Sequence, residues 1–276
     1  MNRLVIDMTT FEETHRSFIE GFGIMGKEHL MHDYIIGRDK EELSIADFLS
    51  YIGRESVPII DQPILLNSLH ITTNDDRCSS ILRTGIKDLQ GAVTEETPLR
   101  KFLKERGITI DVSQGELHAD GIHYPLNRNA SGASATNNNA QLEYVSWKLF
   151  KDFPVCGFIC SPNVLAYGGY VDRRPEFLNN LANLLNRPDL VEEWETVTQT
   201  HILKFGLPLS KYEAPNEKVV VGNLLLKTTY DYIFNGGPVS DVYSFLPPHV
   251  EVDPEEICAI YSVEEYHQAS LSLKQN

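Results

Sequence analysis

The chain has 276 residues, enough for one large domain or for a domain with an additional segment. Its hydrophobic fraction of 42% and charged fraction of 23% are typical of a folded globular protein and argue against disorder throughout. The formal net charge of -15 at pH 7 argues against extended non-specific contact with duplex phosphates, although a few arginines can still form a local basic pocket.

Membrane insertion and disulfide bonding are not indicated. No stretch approaches the roughly 18 consecutive apolar residues of a membrane-spanning helix, and the N-terminus lacks the apolar core of a signal peptide. We therefore expect a cytoplasmic protein with no membrane contact. The cysteines show neither a CxxC pair nor a paired histidine spacing, so we expect buried thiols. They are Cys78, Cys156, Cys160 and Cys258.

The first 66 residues are predicted to be mainly helical. The segment SIADFLSYIGRE has apolar residues at helical spacing behind Ser44, a good N-cap residue. Two prolines follow in SVPIIDQPILL, and we place a boundary near Asp61–Asn67. This gives an N-terminal helical segment, 1–66, and a second unit, 67–276.

The stretch SLHITTNDDRCSSILRTGI, residues 68–86, predicts a strand and then a helix. Leu69 and Ile71 alternate with polar residues, as in a half-buried strand. Thr73 or Asn74 is expected to cap a helix that buries Cys78, Ile81 and Leu82 on one face. Gly85 is expected to end that helix.

The next two elements have strong local signals. In TPLRKFLKERG, Thr97 caps a helix, Pro98 suits its first turn, and Gly107 ends it. The alternating residues that follow turn at Asp120-Gly121, the strongest short hairpin signal. The polar segment Asn127 to Ala140 is predicted to be a mobile loop.

The remaining chain mixes both types of element. A strand is predicted around FPVCGFIC, helices in RRPEFLNNLANLLN and RPDLVEEWETVTQTHILKFG, and strands in DVYSF and EEICAIYSV. The segment EKVVVGNLLLKTTYDYIFNGG is left open between helix and strand. Without a regular βαβ rhythm, the pattern favours an α+β fold.

Two other motifs allow a structural and a chemical interpretation. His118 and His123 flank the Asp120-Gly121 turn and are metal-ligand types, but the hairpin alone explains the pattern, so no metal is predicted. AYGGYVDRRPE, residues 166–176, combines glycines, tyrosines and arginines before a helix. A plain turn is the favoured interpretation, and a phosphate- and ring-binding loop is the alternative.

The strand and helix of residues 68–86 resemble the first conserved element of the ADP-ribosyltransferase superfamily. Its histidine-containing branch includes diphtheria toxin, the poly(ADP-ribose) polymerases and DNA-targeting bacterial toxins. The resemblance lies in His70-Ile71-Thr72, then Ser80-Ile81-Leu82, then Gly85-Ile86. VDPEEICAI, residues 252–260, looks like the family's final segment. The resemblance implies a split antiparallel sheet core in residues 67–276.

The resemblance also implies roles for individual residues. His70 would bind the ribose hydroxyls on the adenosine side of NAD, and Ile71 and Thr72 would lie against the cofactor, with the Ile71 backbone holding the nicotinamide amide. Asp241, or as second choice Glu251, would supply the catalytic carboxylate, where the family normally has glutamate. The remaining implied NAD contacts are stacking of Tyr167 or Tyr170 on the nicotinamide ring and pyrophosphate binding by Arg173 or Arg174.

The implied function is NAD-dependent mono-ADP-ribosyl transfer to a protein or nucleic-acid target, as in a bacterial or phage toxin or defence effector. The alternative is a non-catalytic acidic protein on a similar scaffold. Such a protein would bind a partner through its negative surface, as an inhibitor, an assembly subunit or a phage anti-defence protein. A third interpretation is an unrelated α+β protein in which His70 is only a core residue.

Overall fold

The structure, a computed structural model, describes residues 3–132 and 138–271. Its strands are β1 (Leu4–Ile6), β2 (Ile64–Asn74), β3 (Thr109–Asp111), β4 (Glu116–Ala119), β5 (Ile122–Pro125), β6 (Cys156–Cys160), β7 (Gln199–Pro208), β8 (Val242–Phe245) and β9 (Ile257–Ser262). Its first six helices are α1 (Phe11–Phe22), α2 (His29–Ile36), α3 (Ile45–Tyr51), α4 (Pro58–Asp61), α5 (Ser79–Thr84) and α6 (Leu89–Thr94). The others are α7 (Pro98–Glu105), α8 (Asn138–Phe150), α9 (Glu176–Leu185), α10 (Asp189–Val197), α11 (Lys218–Asn235) and α12 (Val263–Leu271).

A six-stranded sheet organises the molecule, in the order β8-β6-β2-β7-β9, with β1 parallel to the start of β2. The other pairings in this sheet are antiparallel. β7 pairs with β2 from Leu65 opposite Pro208 to Asn74 opposite Gln199. The mixture of helices and antiparallel sheets confirms the α+β prediction. The boundary placed after residue 66 falls inside β2.

Two main groups of buried side chains lie on different parts of this framework. The N-terminal helices share the first with the sheet and α11, including Phe18, Phe48, Phe205 and Leu225. The second lies among α6 to α10 and the small sheet of β3, β4 and β5, and includes Trp194. The N-terminal segment therefore packs into the same core as the central strands, because its apolar helix faces have that sheet to cover.

A buried ion pair lies where β1 ends. The Lys204 ammonium is 2.7 Å from the Asp7 carboxylate, and their side chains are only 10% and 2% exposed. Asn67 Nδ2 donates to the same carboxylate at 2.9 Å. Burial acts to raise the pKa of Asp7, but the charge of Lys204 together with hydrogen bonds from Lys204, Thr9 and Asn67 outweighs it and lowers that pKa below 3.8. We call Asp7, Asn67 and Lys204 the closed cluster.

The elements predicted from short local sequence signals are present in the structure. Ser44 accepts from Asp47 N and caps α3, and Thr97 accepts from Arg100 N and caps α7. Asp120 and Gly121 have φ of 52° and 78° and form the turn between β4 and β5. Leu69 and Ile71 are buried, and α5 ends at Gly85, as predicted.

Four predictions from the sequence are wrong. Residues 199–208 form β7 rather than the end of a helix, because their β-branched and apolar side chains fill the sheet beside β2. Asn138 to Ala140 begin α8 rather than extend the polar loop, and 133–137 lie outside the described residues. Thr73 and Asn74 end β2 rather than cap the helix, which starts only at Ser79 behind a left-handed Cys78, and Leu82 is 55% exposed. Cys156 and Cys258 are exposed, whereas Cys78 and Cys160 are buried.

The segment of residues 217–237, left open between helix and strand, contains α11, whose exposed and buried faces do not separate cleanly in sequence. Val221, Leu225 and Leu226 are buried, while Val219 and Val220 are exposed. Within the described residues, no helix combines the length and the apolar character needed to span a membrane.

Candidate functional site

A cavity of about 280 Å³ opens beside the C-terminal half of β2. Elements of both core regions enclose it, with α5 and α6 on one side and the ends of α8 and α9 on another. Much of its wall is apolar, with Phe153, Phe177 and Trp194 as the largest side chains. Such a mainly apolar recess with a few polar groups is the usual form of a small-molecule site.

His70 lines this cavity and is held in one orientation by β6. Its Nδ1 lies 2.9 Å from the Cys156 carbonyl oxygen. A carbonyl can only accept, so Nδ1 carries the proton, and Nε2 of the neutral ring is an acceptor. Burial lowers the pKa of His70 below 6.5, which the bond to Cys156 only partly opposes, so the ring is neutral at pH 7. Within residues 3–132 and 138–271, Nε2 has no hydrogen-bond partner.

The neighbours of His70 on β2 contribute differently. Thr72 lies on the same face of the strand, two residues on, and also lines the cavity. Ile71 lines the cavity and is buried in the apolar cluster with Phe158 and Ile202. Trp194 Nε1 donates to Thr73 Oγ1 at 2.8 Å, which fixes α10 against the end of β2. His70 and Thr72 both line the cavity and are therefore available to a ligand.

Three charged side chains, Lys148, Asp152 and Glu176, also line the cavity, and we call them the cavity cluster. The Lys148 ammonium is 2.6 Å from Asp152 and 2.8 Å from Glu176. Lys148 lies near the end of α8, Asp152 follows two residues after that helix, and Glu176 is the first residue of α9, where the helix dipole favours a negative charge. One cation faces two carboxylates, so the cluster carries one net negative charge.

Cys156 lies beside this cluster and also lines the cavity. Its thiol is a candidate nucleophile by position. Although Cys156 is an exposed residue, the surrounding protein desolvates its thiol and raises its pKa, and the Asp152 carboxylate adds to that shift. The thiol is therefore protonated at neutral pH and is a poor nucleophile there.

The two candidate stacking tyrosines lie outside the set of described residues that line the cavity. Tyr167 is 37% exposed and packs with its ring edge-on to Phe158 at 5.8 Å. Burial raises the pKa of Tyr167, and the Glu176 carboxylate adds to this shift, which indicates that Tyr167 is near the cavity cluster. Tyr170 is 57% exposed, and its closest cationic neighbour is Arg174, 5.7 Å from the ring centroid.

The candidate pyrophosphate-binding arginines are engaged with α10. Arg173 is 2.5 Å from the Glu195 carboxylate, and Arg174 Nε is 3.8 Å from the other oxygen of Glu195. Arg174 also donates to the Gly169 carbonyl at 3.3 Å. A phosphate would have to compete with Glu195 for both guanidinium groups.

The two candidate catalytic carboxylates are not brought to the cavity wall among the described residues. Asp241 accepts a hydrogen bond from Ser161, just past the end of β6, whereas His70 contacts Cys156 at its start. Five residues of strand correspond to roughly 16 Å. Glu251 is linked to the cavity through Lys87. The Lys87 side chain lines the cavity, and its ammonium lies 2.7 Å from the Glu251 carboxylate.

The comparisons with known proteins return no relationship. No protein-family model matches the chain, and neither a curated protein nor a solved structure matches it. The resemblance of His70-Ile71-Thr72 to the ADP-ribosyltransferases therefore depends on the sequence motif alone.

The sequence did not reveal the cavity cluster. Lys148 and Glu176 belong to two helices separated by β6, and Asp152 lies between α8 and β6. All three are residue types that are common on solvent-exposed surfaces. Only the i,i+4 spacing of Lys148 and Asp152 was visible in the sequence. These side chains share a cavity with His70 only because of how α8 and α9 pack against the sheet.

Proposed function

We propose that the cavity binds the nicotinamide-ribose half of NAD and that the protein is a mono-ADP-ribosyltransferase acting on a protein or nucleic-acid target. The observation that carries this proposal is the position of His70. It is a neutral histidine on the central strand, with a fixed tautomer and a free acceptor nitrogen, in a cavity that also presents Thr72.

The size of the cavity supports binding of half a dinucleotide. Its volume of about 280 Å³ is slightly below the roughly 300–1,000 Å³ usual for ligand sites. The apolar wall with Trp194 and Phe177 suits a flat ring, and His70 Nε2 would accept from a ribose hydroxyl. The adenosine half would extend past the rim.

The charge of the cavity cluster supports the chemistry. In the proposed reaction the bond between ribose C1′ and the nicotinamide nitrogen breaks, and its electron pair stays with nicotinamide. A nucleophilic atom of the target then bonds to C1′ and releases its proton to solvent. Positive charge develops on the ribose in the transition state, and a nearby net negative charge stabilises it.

Glu176 is the carboxylate that the geometry favours for this role, with Asp152 next. Both line the cavity that contains His70. Asp241 and Glu251, which the family resemblance implies, stay as alternatives because a bound dinucleotide extends beyond the cavity itself. The carboxylate's contribution would be electrostatic, since a paired carboxylate keeps its negative charge.

The test is nicotinamide release from NAD by the purified full chain, with cell extract as the source of acceptors. We expect release by the wild type, loss of at least about 100-fold in His70→Ala, and no change in His32→Ala, an exposed histidine on α2. Glu176→Gln and Asp152→Asn compared with Asp241→Asn and Glu251→Gln identify the carboxylate. A wild type that neither binds nor cleaves NAD refutes the proposal.

The pH profile tests the protonation state of His70. Because burial lowers its pKa below 6.5, the neutral ring persists through the physiological range. We expect nicotinamide release to be flat from pH 8 down to about pH 6.5 and to fall only at lower pH. A rise in activity on acidification through this range would show that the protonated ring is required, against the tautomer argument.

A second candidate is a non-catalytic protein that binds a basic partner, and the net charge of -15 favours it. Binding of NAD without cleavage, together with salt-sensitive binding of a basic protein, would support this candidate over the enzyme.

A further inference from the structure

The exposed face of the small sheet carries three metal-ligating side chains. Glu116 and His118 are two residues apart on β4 and therefore lie on one face. His123 on β5 is directly opposite His118 in the strand register. The other face of β4 is buried, with Leu117 and Ala119 at 0% and 1% exposure, so the hairpin is anchored from beneath.

The three side chains converge on a single point above the sheet. The Glu116 carboxylate is 3.3 Å from His118 Nε2 and 3.7 Å from His123 Nε2. All three donor atoms lie within 4.8 Å of one another. Ligands bound about 2.0–2.1 Å from a tetrahedral zinc ion are themselves roughly 3.3 Å apart, so small side-chain rotations suffice to close the set around one ion.

We propose that Glu116, His118 and His123 form a binding site for a divalent transition-metal ion, with Zn²⁺ as the ion that suits it best. Two imidazole nitrogens and one carboxylate match the ligand preference of zinc, whereas magnesium and calcium favour all-oxygen sites. Three protein ligands leave a fourth tetrahedral position, which water fills at this exposed surface.

The hairpin holds the two histidines in place before any ion binds. Their rings are stacked, with centroids 4.8 Å apart and an interplanar angle of 22°. The turn between them is tight, and Asp120 within it lies 3.6 Å from the Arg187 guanidinium near the start of α10. Donors on paired strands lose little freedom on binding, which favours affinity. The site shares no residue with the cavity and is independent of the NAD proposal.

The sequence contained the signal for this site. A two-residue turn at Asp120-Gly121 places the residues on either side of it in register, which brings His118 opposite His123. Strand alternation then places Glu116 beside His118. Glu116 lies outside the turn motif, so the motif alone does not indicate a third ligand.

The experiment is calorimetric titration of the full chain with Zn²⁺. We expect a site that binds one ion, and a loss of affinity of at least about tenfold in each of His118→Ala, His123→Ala and Glu116→Gln, since loss of an outer-shell partner alone costs that much. His32→Ala is the matched control and should bind as the wild type does. Titration with Co²⁺ adds a spectrum that separates imidazole ligation from binding by the exposed thiols of Cys156 and Cys258.

A thermal scan separates lost ligands from lost folding. The His118 and His123 side chains are 50% and 49% exposed, so without metal both alanine variants should unfold at the wild-type temperature. Added Zn²⁺ should raise the unfolding temperature of the wild type and of His32→Ala only. Zinc binding that is unchanged in both histidine variants, or no binding by the wild type, overturns the proposal.

Discussion

Lys204 and Lys148 both pair with carboxylates, but the two lysine sites differ in charge balance and in access to water. In the closed cluster one lysine meets one aspartate, both nearly inaccessible, and Asn67 adds a hydrogen bond. In the cavity cluster one lysine meets two carboxylates that are 46% and 34% exposed. Balanced and enclosed charges contribute mainly to the fold, whereas an unbalanced group facing a cavity is placed to act on a ligand.

The largest expected effect is that of Lys204→Met. It leaves the Asp7 carboxylate buried without its counter-ion, and we expect a loss of about 3–5 kcal/mol in the free energy of unfolding. Urea denaturation measures it. The double variant Asp7→Asn, Lys204→Met removes both charges and should recover most of the loss. If the double variant is as unstable as Lys204→Met, the ion pair is not the cause.

Gly206→Ala should disturb the closed cluster through a steric clash. A Cβ at this position would lie 2.5 Å from Asn67 Oδ1, which forces Asn67 away from Asp7. We expect a loss of about 1–3 kcal/mol in unfolding free energy. Gly168→Ala is the control, since a Cβ there meets no described atom within 4 Å. Equal stability of the two variants would contradict the close packing of this strand pair.

Lys148→Met is the counterpart of Lys204→Met in the cavity cluster. It leaves two carboxylates near each other, but water reaches both, so we expect a loss of only about 1 kcal/mol in unfolding free energy. The same urea denaturation measures this change. A loss as large as that of Lys204→Met would mean that the cavity cluster is also structural, and the contrast would fail.

The smallest expected effect on stability is that of Glu176→Gln. The glutamine can still accept from Lys148, and the side chain is partly exposed, so the unfolding free energy should change by about 0.5 kcal/mol or less. Nicotinamide release should nevertheless fall if Glu176 supplies the charge. Asp152→Asn is the matched change on the other side of Lys148. A large destabilisation by either variant would show that folding and activity cannot be separated here.

Elements encoded within a few residues were predictable from the sequence. The cap, proline and terminal glycine of α7 and the turn at Asp120-Gly121 depend on local backbone preferences that neighbours do not override. The alternation around Leu69 and Ile71 likewise identified β2, although not that the strand reaches from Ile64 to Asn74. His70, singled out by the His70-Ile71-Thr72 motif, does line a cavity.

Features that depend on distant partners were not predictable. Residues 199–208 follow directly after α10 and carry apolar spacing that also fits a helix, and only pairing with β2 and β9 settles them as strand. The Lys148 cluster and the engagement of Arg173 with Glu195 are contacts between helices distant in sequence. A single sequence gives no signal of such contacts.

The pairing of β2 with β7 has a consequence for how the chain is made. Leu65 lies opposite Pro208 and Asn74 opposite Gln199, so the partner of the central strand leaves the ribosome long after the strand itself. Until then, the apolar N-terminal helices have no complete surface to cover. Because distant pairing of this kind slows folding, the nascent chain is most exposed to aggregation and to chaperone binding during synthesis of the intervening segment.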